Sequence, residues 1–587
     1  MSKIGFFVIA IVSCIYLYNP STNDSKIHYE IISGYNIQSL ESELTVDDYF
    51  EYAIEIVFVL DYHDSYFDSL NKDQNNYYVY NMHFYNNVDM MYDEVYISSY
   101  TPYLFYTINN YENVDFDFIY DIAEYNYVSS IYVRYMEINR NISVFIPPTD
   151  DDGGGGSTSP DYGLYDNFPL NHYYKGYGVK IGILDTGELN LLHQTFANRD
   201  VNIVLDTYSN TNIEGNPTYD YDHIMKVAAI ICGADGYSQE SSIYYVDMHS
   251  IEVPDLTGVE VLLNQDVDII NLSISYYSDN NYEMTSTYLY FDYIVSTNSD
   301  VIFVAASGNT LTDYKDVFGN YYDDFGYISI PANITSVIAV GSIDVNYVPS
   351  PFSSCYTKSI GNIIDSNIAS KPEIVAVGGR RYIPFYGNVS GTSFSAPAVS
   401  STVALLKQKF GDILNTQTAL SIITATANSK DIDYSDLVIN RFNLSPLIIS
   451  NDKKTGHDMF TRTGAGALDV EKALSYPQHR LQSILPTLID GQDMQIINIL
   501  YLFEGQTFSF SLAWDRVSSI DSIFPIANLN LEITTFDGVS VYRTSARYGN
   551  LEIIKLHITS TGYYKVKIIG IDNAYSISSF NFAYDMR

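Results

Sequence analysis

The sequence has few cysteines and few basic residues, and both shortages exclude classes of protein. Three cysteines in 587 residues, Cys14, Cys232 and Cys355, cannot form the dense disulfide framework of small secreted domains. Lys and Arg number 30 against 70 Asp and Glu, which gives a formal net charge of −40. Because such a surface repels nucleic acid and anionic membranes, nucleic acid is excluded as a partner.

Long apolar runs are scarce too, and the one that could meet a membrane lies at the N-terminus. Residues 4–18 are uncharged and mostly apolar, and their length fits the core of a signal peptide better than a full membrane span. The segment Ile11-Val-Ser-Cys14 also resembles a bacterial lipobox, the site where a lipoprotein is cleaved and acylated. We therefore expect residues 1–19 to be a signal peptide or membrane anchor of an exported protein. The protein would then be secreted or attached to the outer face of the cell membrane.

The sequence contains no internal repeat, and one segment interrupts its hydrophobic periodicity. Residues 150–161 include four consecutive glycines and predict a flexible, exposed linker. The strongly acidic segment before it, residues 20–149, predicts a small α+β domain. The elements expected there are helices at Asp47–Tyr62 and Phe116–Tyr127, and strands at Tyr92–Asn109 and Val128–Glu137.

After the linker, residues 162–478 alternate between near-continuous apolar segments and helical ones. The expected strands are Val179–Leu184, Val267–Ile274, Val301–Ala306 and Ser336–Ile343, and the expected helices are His223–Gly233 and Ser395–Phe410. Apolar strands separated by helices predict an α/β domain, a parallel sheet with helices on both faces. In such a sheet the functional site lies at the carboxyl ends of the strands.

Residues 479–587 have the texture of an all-β domain. The segments Thr507–Leu512, Leu529–Ile533 and Tyr564–Ile568 alternate apolar and polar residues, and Asp537-Gly538 is a hairpin signal. We predict an antiparallel β-sandwich here.

Asp185-Thr-Gly187, which follows an expected strand, has three interpretations. It could be a tight turn without chemistry, half of an aspartic-protease dyad, or the orienting acid of a serine triad. The dyad needs two such carboxylates side by side, and the sequence has no second Asp-Thr-Gly or Asp-Ser-Gly. The other two interpretations remain open.

Three further polar residues each have an ordinary explanation. His223 opens a helix, where histidine is often a capping residue, and Asn309 follows a strand, where asparagine is usually a turn residue. Ser393 could belong to a serine-rich N-cap of a core helix whose first turn holds Pro397. Each residue could instead take part in catalysis: His223 as a general base, Asn309 as an oxyanion donor, and Ser393 as a nucleophile at a helix N-terminus. Gly391, which has no side chain, would let another backbone come close to Ser393.

Taken in order, these motifs resemble those of the subtilisin-like serine proteases, the subtilases. The resemblance is carried by Gly178–Gly187 followed by His193 and Phe196, His223–Gly233, Val304–Asn309, Ile330–Ala332 with Val337–Gly341, Phe352–Ser354, Lys371–Glu373, Gly391–Pro397, and Thr463–Gly466 with Leu468–Leu474. It covers about residues 162–477. In this family the fold is a parallel-sheet α/β domain and the activity is peptide-bond hydrolysis.

The resemblance implies a role for particular residues. Ser393 would be the nucleophile, His223 the general base, and Asp185 the acid that orients the imidazole. Asn309 and the backbone N–H of Ser393 would form the oxyanion hole. The residues implied in substrate binding are Ser273, Ser275, Ala306 and Gly308.

The resemblance also implies partners. Polypeptides would be the substrates, and residues 20–149, in the position of a subtilase propeptide, would act as an intramolecular inhibitor. Structural calcium is common in the family, but no residue of this chain is assigned as a metal ligand. The sandwich contains none of the four assigned catalytic residues, so we expect it to be dispensable for the chemistry.

Some positions depart from the family's pattern. Ile224 and Ala229 replace glycines of the histidine motif, and Lys226 replaces its second histidine. Tyr276 and Tyr277 stand where the family often has glycines that pair with substrate. These departures keep a second hypothesis open, in which a subtilase scaffold with an impaired site acts as a surface binding protein.

Overall fold

A computed structural model of the chain describes three groups of residues. They are residues 27–32, 52–60, 94–97, 103–108 and 128–137; residues 172–196, 222–247, 258–275, 285–309, 328–355, 371–428 and 463–478; and residues 482–484, 494–515, 528–543, 550–572 and 580–586, with the single residues 84, 122, 125, 166, 168 and 169. The expected signal segment, the linker and the two tyrosines at 276 and 277 lie outside these ranges. Within them, no helix has the length and apolar character needed to cross a membrane.

The chain forms two compact units, and the described residues of the first include a five-stranded sheet. Its strands are β1 (Ile27–Ile32), β2 (Tyr52–Leu60), β3 (Glu94–Ile97), β4 (Tyr103–Ile108) and β5 (Val128–Glu137). Their order is β1-β5-β2-β4-β3, with β1 parallel to β5 and the other pairs antiparallel. Strand β5 coincides with the predicted strand, and β3 and β4 form a hairpin inside the predicted segment Tyr92–Asn109.

The prediction of a helix at Asp47–Tyr62 is wrong, because this segment contains β2. The strand is rich in β-branched and aromatic residues, and it pairs with β4 on one side and β5 on the other. Ile56 and Phe58 are fully buried, and the Phe58 ring meets the edge of Tyr106 at 5.3 Å between centroids. The other predicted helix, Phe116–Tyr127, lies mostly outside the described residues.

The second unit contains the predicted parallel sheet. Its strands are β6 (Lys180–Asp185), β7 (Ser242–Asp247), β8 (Ile269–Leu272), β9 (Ile302–Ala306), β10 (Ile338–Asp344) and β11 (Ile374–Gly379). All neighbours in the order β11-β10-β9-β8-β6-β7 run parallel. The α/β class is thereby confirmed; β7 and β11 were not anticipated.

Six helices and a small hairpin complete the described part of this domain. They are α1 (His223–Cys232), α2 (Gly258–Leu263), α3 (Thr285–Thr297), α4 (Ala396–Phe410), α5 (Thr416–Thr426) and α6 (Val470–Ser475), with the hairpin strands β12 (Arg381–Ile383) and β13 (Gly387–Val389). In α1 every residue except Lys226 is buried, which explains its almost continuous apolar sequence. Helix α4 carries Pro397 in its first turn, as predicted, where the missing N–H is harmless.

The strand order places a crevice beside β6. The chain leaves β6 through α1 to β7 on one side, then returns through α2 to β8 on the other side. Such a reversal opens a crevice at the carboxyl ends of the two flanking strands. Asp185 ends β6 and Ser273 directly follows β8, so polar residues stand on both sides of the crevice.

The C-terminal residues form two antiparallel sheets, as predicted. The strands are β14 (Gln482–Ile484), β15 (Met494–Leu502), β16 (Thr507–Trp514), β17 (Asn528–Thr535), β18 (Ser540–Arg543), β19 (Leu551–His557), β20 (Gly562–Asp572) and β21 (Phe580–Met586). They are ordered β14-β21-β16-β19 and β15-β20-β17-β18. Aromatic and aliphatic residues of both sheets, among them Phe510, Trp514 and Phe582, pack together in one hydrophobic core.

One sheet of the sandwich also packs against the α/β domain. Its second face carries small residues, among them Ala513 and Ala583, which share a hydrophobic core with α5. Every residue of α5 is buried. On the side of α5 that meets this sheet, the Thr424 and Ser511 hydroxyls are 2.7 Å apart and the Ser421 hydroxyl donates to the Asn581 carbonyl at 3.1 Å. Residues before and after position 478 are therefore held together by one continuous core.

Candidate active site

The acid motif stands at the end of β6. Asp185 is the last residue of this strand and is fully buried. The backbone N–H of Thr186 donates to Asp185 Oδ1 at 2.7 Å, which fixes the orientation of the carboxylate. A buried carboxylate needs such donors, because burial without them is unfavourable.

His223, the first residue of α1, faces this carboxylate. The distance from His223 Nδ1 to Asp185 Oδ1 is 2.5 Å, and both side chains are fully buried. The Ile224 N–H donates to the Thr186 carbonyl at 3.2 Å, so the first turn of α1 is attached to the acid motif. This bond also satisfies one of the N–H groups that a helix N-terminus leaves without an intrahelical partner.

The Ile224 side chain, which departs from the family's glycine, is fully buried in the hydrophobic core of the domain. Its bulk is therefore accommodated within the protein rather than in solvent-accessible space. The two tyrosines that also depart from the family's pattern, Tyr276 and Tyr277, lie outside the described residues.

Ser393 lies in a short 3-10 turn, Thr392–Phe394, just before α4. The ring of Phe394 lies 5.5 Å from the His223 imidazole between centroids, so this turn and the start of α1 are adjacent. The turn approaches β11 closely: the Gly391 N–H donates to the Gly378 carbonyl at 2.8 Å. A Cβ at Gly378 would lie 2.6 Å from the Gly391 carbonyl oxygen, so this approach depends on a glycine that the sequence did not single out.

Ser273 and Ser393 are joined by two hydrogen bonds. The Ser393 hydroxyl donates to the Ser273 carbonyl at 3.1 Å, and the Ser273 hydroxyl donates to the Ser393 carbonyl at 2.9 Å. Both residues are buried. These bonds hold the segment after β8 and the turn before α4 together at the edge of the crevice.

Asn309 lies beside the same turn. Its Oδ1 accepts from the backbone N–H and from the hydroxyl of Thr392, both at 2.9 Å. These two donors fix the amide so that Nδ2 is turned away from Thr392, on the side of Gly391. The Gly308 N–H in turn donates to the Thr392 hydroxyl at 3.2 Å. Sequence analysis gave Thr392 no role, although a hydroxyl residue directly before the serine was the available signal.

The remaining predicted substrate-binding residues surround this arrangement. Ala306 ends β9 and is buried, and Gly308 follows with a φ of +110°, a backbone conformation that favours glycine. The Gly308 carbonyl accepts from the Ser354 N–H at 2.9 Å, so its backbone is engaged within the protein. Ser275 is half-buried and accepts a hydrogen bond from the Ser329 hydroxyl at 2.8 Å. Their contacts with substrate remain predictions.

Asp166 fixes the chain shortly after the linker. Its Oδ1 accepts from the Val377 N–H of β11, and its Oδ2 from the Tyr237 hydroxyl, both at 2.8 Å. Arg381 Nη1 lies 3.5 Å from the same Oδ2. Burial raises the pKa of Asp166, an effect that Arg381 opposes. The buried carboxylate thus attaches residue 166 to the parallel sheet.

Within the described ranges, no group of three or more His, Cys, Asp or Glu side chains could hold a metal ion. The side chains of the site have a chemistry of their own. The site brings a carboxylate, an imidazole, a serine turn and a fixed carboxamide to one crevice, the constituents of nucleophilic acyl transfer.

Part of the chain is similar to known proteins. A model of the Subtilase family matches residues 176–466. Subtilisin DY of Bacillus licheniformis is 25% identical over 273 residues, which are 44% of this chain and 88% of that protein.

Two solved structures show the extent of the similarity. The prenylagaramide maturation protease PagA is 23% identical, with 51% of this chain and 93% of that chain covered and a TM-score of 0.34. The serine protease of Aeromonas sobria is 14% identical, with 70% and 89% covered and a TM-score of 0.36. Through residues 176–466, which the family model matches, the chain belongs to the subtilase family of serine-type peptidases.

Proposed function

We propose that this protein is an exported serine endopeptidase that hydrolyses peptide bonds through an acyl-enzyme. The observation that carries the proposal is the 2.5 Å contact between the buried His223 and Asp185 side chains, at the crevice where Ser393 also lies. Export rests on residues 1–19, which have the pattern of a signal peptide or anchor.

In this mechanism Ser393 attacks the carbonyl carbon of the substrate. Because Asp185 holds Nδ1, proton transfer is left to Nε2 of His223, which takes the serine proton and gives it to the leaving amine. Asp185 stabilises the imidazolium that forms in between. Water then attacks the acyl-enzyme by the same route in reverse, with His223 again acting first as base and then as acid.

Asn309 would donate through Nδ2 to the oxyanion of the tetrahedral intermediate. Since that charge develops only in the transition state, Asn309→Ala should lower kcat by about 10²–10³-fold and change KM little. The measurement is steady-state kinetics on a peptide substrate. Asn346→Ala, at an exposed turn, is the matched control and should behave as wild type. A rise in KM with kcat unchanged would assign Asn309 to ground-state binding instead.

Residues 20–149 are proposed as an inhibitory propeptide, and the linker at 150–161 as the region of maturation. Because Asp166 is attached to β11, the cut should fall before it, and the mature chain should begin between Pro147 and Tyr165. N-terminal sequencing of the secreted form tests this. A mature chain that begins before Tyr100 or after Asp166 would contradict it, and unchanged processing in Ser393→Ala would exclude autocatalysis.

The second hypothesis is a binding scaffold with an impaired site. Labelling with a serine-directed fluorophosphonate separates the two, because only an activated serine reacts. We expect the processed protein to label at Ser393 and to cleave an unfolded protein at neutral pH. No labelling of Ser393, together with no cleavage across a broad peptide library, would favour the scaffold.

A further inference from the structure

A chain of buried hydrogen bonds connects the middle of α4 to the backbone of Ser393. The Ser400 hydroxyl donates to Asn271 Oδ1 at 2.8 Å, and Asn271 Nδ2 donates to the Ser273 hydroxyl oxygen at 3.0 Å. The Ser273 hydroxyl then donates to the Ser393 carbonyl at 2.9 Å. Ser400 and Asn271 are fully buried, so water does not compete for these bonds.

The Ser393 carbonyl has a specific need for this donor. In a helix it would accept from the N–H four residues later, but that residue is Pro397, which has no N–H. A buried carbonyl without a donor is unfavourable, and the Ser273 hydroxyl supplies the missing bond. The position of the peptide that carries the nucleophile therefore depends on Ser273.

Ser273 in turn depends on Asn271. Each hydroxyl has a single proton, so Ser273 can donate to Ser393 only if its oxygen accepts from Asn271 rather than donating to it. That requires Asn271 to present Nδ2 to Ser273 and Oδ1 to the other side. The donor that meets Oδ1 there is Ser400.

We infer that Ser400 is a positioning residue for the proposed peptidase reaction, acting on Ser393 through Asn271 and Ser273. Its hydroxyl favours one orientation of the Asn271 carboxamide, and this orientation directs the Ser273 proton to the Ser393 carbonyl. Bonds in such a chain polarise one another, so removal of the first weakens the last. The inference rests on the proposed function.

The adjacent residues of α4 supply matched controls. Ser401 and Thr402 are also fully buried, but their hydroxyls donate to carbonyls of their own helix, those of Pro397 at 2.6 Å and Ala398 at 2.8 Å. Substitution of Ser401 by Ala removes a buried hydroxyl at the same depth of the same helix without affecting the chain that leads to Ser393.

The test compares Ser400→Ala and Ser401→Ala in the full, matured protein by kcat, KM, fluorophosphonate labelling rate and Tm. For Ser400→Ala we expect kcat and the labelling rate to fall about tenfold, the effect of one buried hydrogen bond, with KM unchanged. Ser401→Ala should keep both rates. Because labelling needs no peptide binding, its loss locates the effect at the nucleophile.

Ser400→Thr, which keeps the hydroxyl, should recover most of the labelling rate. Equal falls in Tm for both alanine variants, with kcat and labelling of Ser400→Ala at the wild-type values, would overturn the inference and leave the proposed function standing. A wild-type protein that neither labels nor cleaves would overturn the proposed function, and this inference with it.

Discussion

Replacement of Ser393 by Ala should abolish peptide-bond cleavage, with kcat reduced by about 10⁶-fold. The size follows from the way a triad works: without a nucleophile, no acyl-enzyme forms, and the imidazole has no hydroxyl to deprotonate. His223→Ala should give a loss of similar size, because the two groups act as one unit. The measurement is single-turnover cleavage of an unfolded protein or peptide, with fluorophosphonate labelling in parallel.

The matched control for this experiment is Ser390→Ala, three residues earlier. Its hydroxyl accepts from the Arg380 N–H at 3.0 Å and takes no part in the proposed reaction, so activity should be retained. Melting curves must show that all variants fold. Residual cleavage by Ser393→Ala within tenfold of wild type would show that another group performs the chemistry.

The elements that carry Asp185 and His223, the proposed catalytic acid and base, were predictable from sequence because they belong to local patterns. Asp185 follows an apolar strand, and His223 opens a nearly continuous apolar helix. The parallel sheet follows from these strands and helices, and its geometry brings the ends of β6 and β8 together. Local periodicity therefore predicted a site at the carboxyl ends of the strands, whereas the crevice beside β6 depends on the strand order and on β7, which were not anticipated.

Contacts between residues distant in sequence were not predictable in this way. Strand β2 is formed by pairing on both sides, and this tertiary pairing overrides the apparent helical periodicity of Asp47–Tyr62. The chain from Ser400 through Asn271 to Ser273 joins segments about 130 residues apart, and nothing in their local sequence marks it.

The C-terminal sandwich shows the same limit. In Thr507–Leu512 the alternation of phenylalanine and serine is typical of a strand with one face in solvent. The structure instead places Ser511, fully buried, 2.7 Å from the Thr424 hydroxyl of α5. Small polar residues here mark a close approach between sheet and helix. That the sandwich is dispensable for the chemistry stays a prediction, but the shared core leads us to expect that it is needed for stability.

A chain that ends at Gln478 should not fold stably. Truncation would expose helix α5, all of whose residues are buried, on the side that meets β16 and β21. It would also remove Lys555, whose ammonium donates to the Ala427 carbonyl at the end of α5 at 2.9 Å and to the Ala465 carbonyl at 2.7 Å. Cations at a helix C-terminus are stabilising, and the carbonyls would lose their donor.

Circular dichroism melts and fluorophosphonate labelling of the truncated chain test this prediction. We expect no cooperative transition at 25 °C or above and little labelling of Ser393. A cooperative melt with labelling at the wild-type rate would show that the catalytic domain is independent of the sandwich.

A point substitution separates loss of this interface from loss of the sandwich itself. Ala513→Arg places an unpaired charge against α5, where burial is complete, and should lower the free energy of unfolding by about 3 kcal/mol or more. Val541→Arg, at an exposed position of the edge strand β18, is the control and should change it by less than about 0.5 kcal/mol. Because the Ala513 side chain lies on the face of its strand opposite the sandwich core, an effect confined to Ala513→Arg would place the stabilising contact between sheet and helix. Equal stability of the two variants in urea titrations would contradict that conclusion.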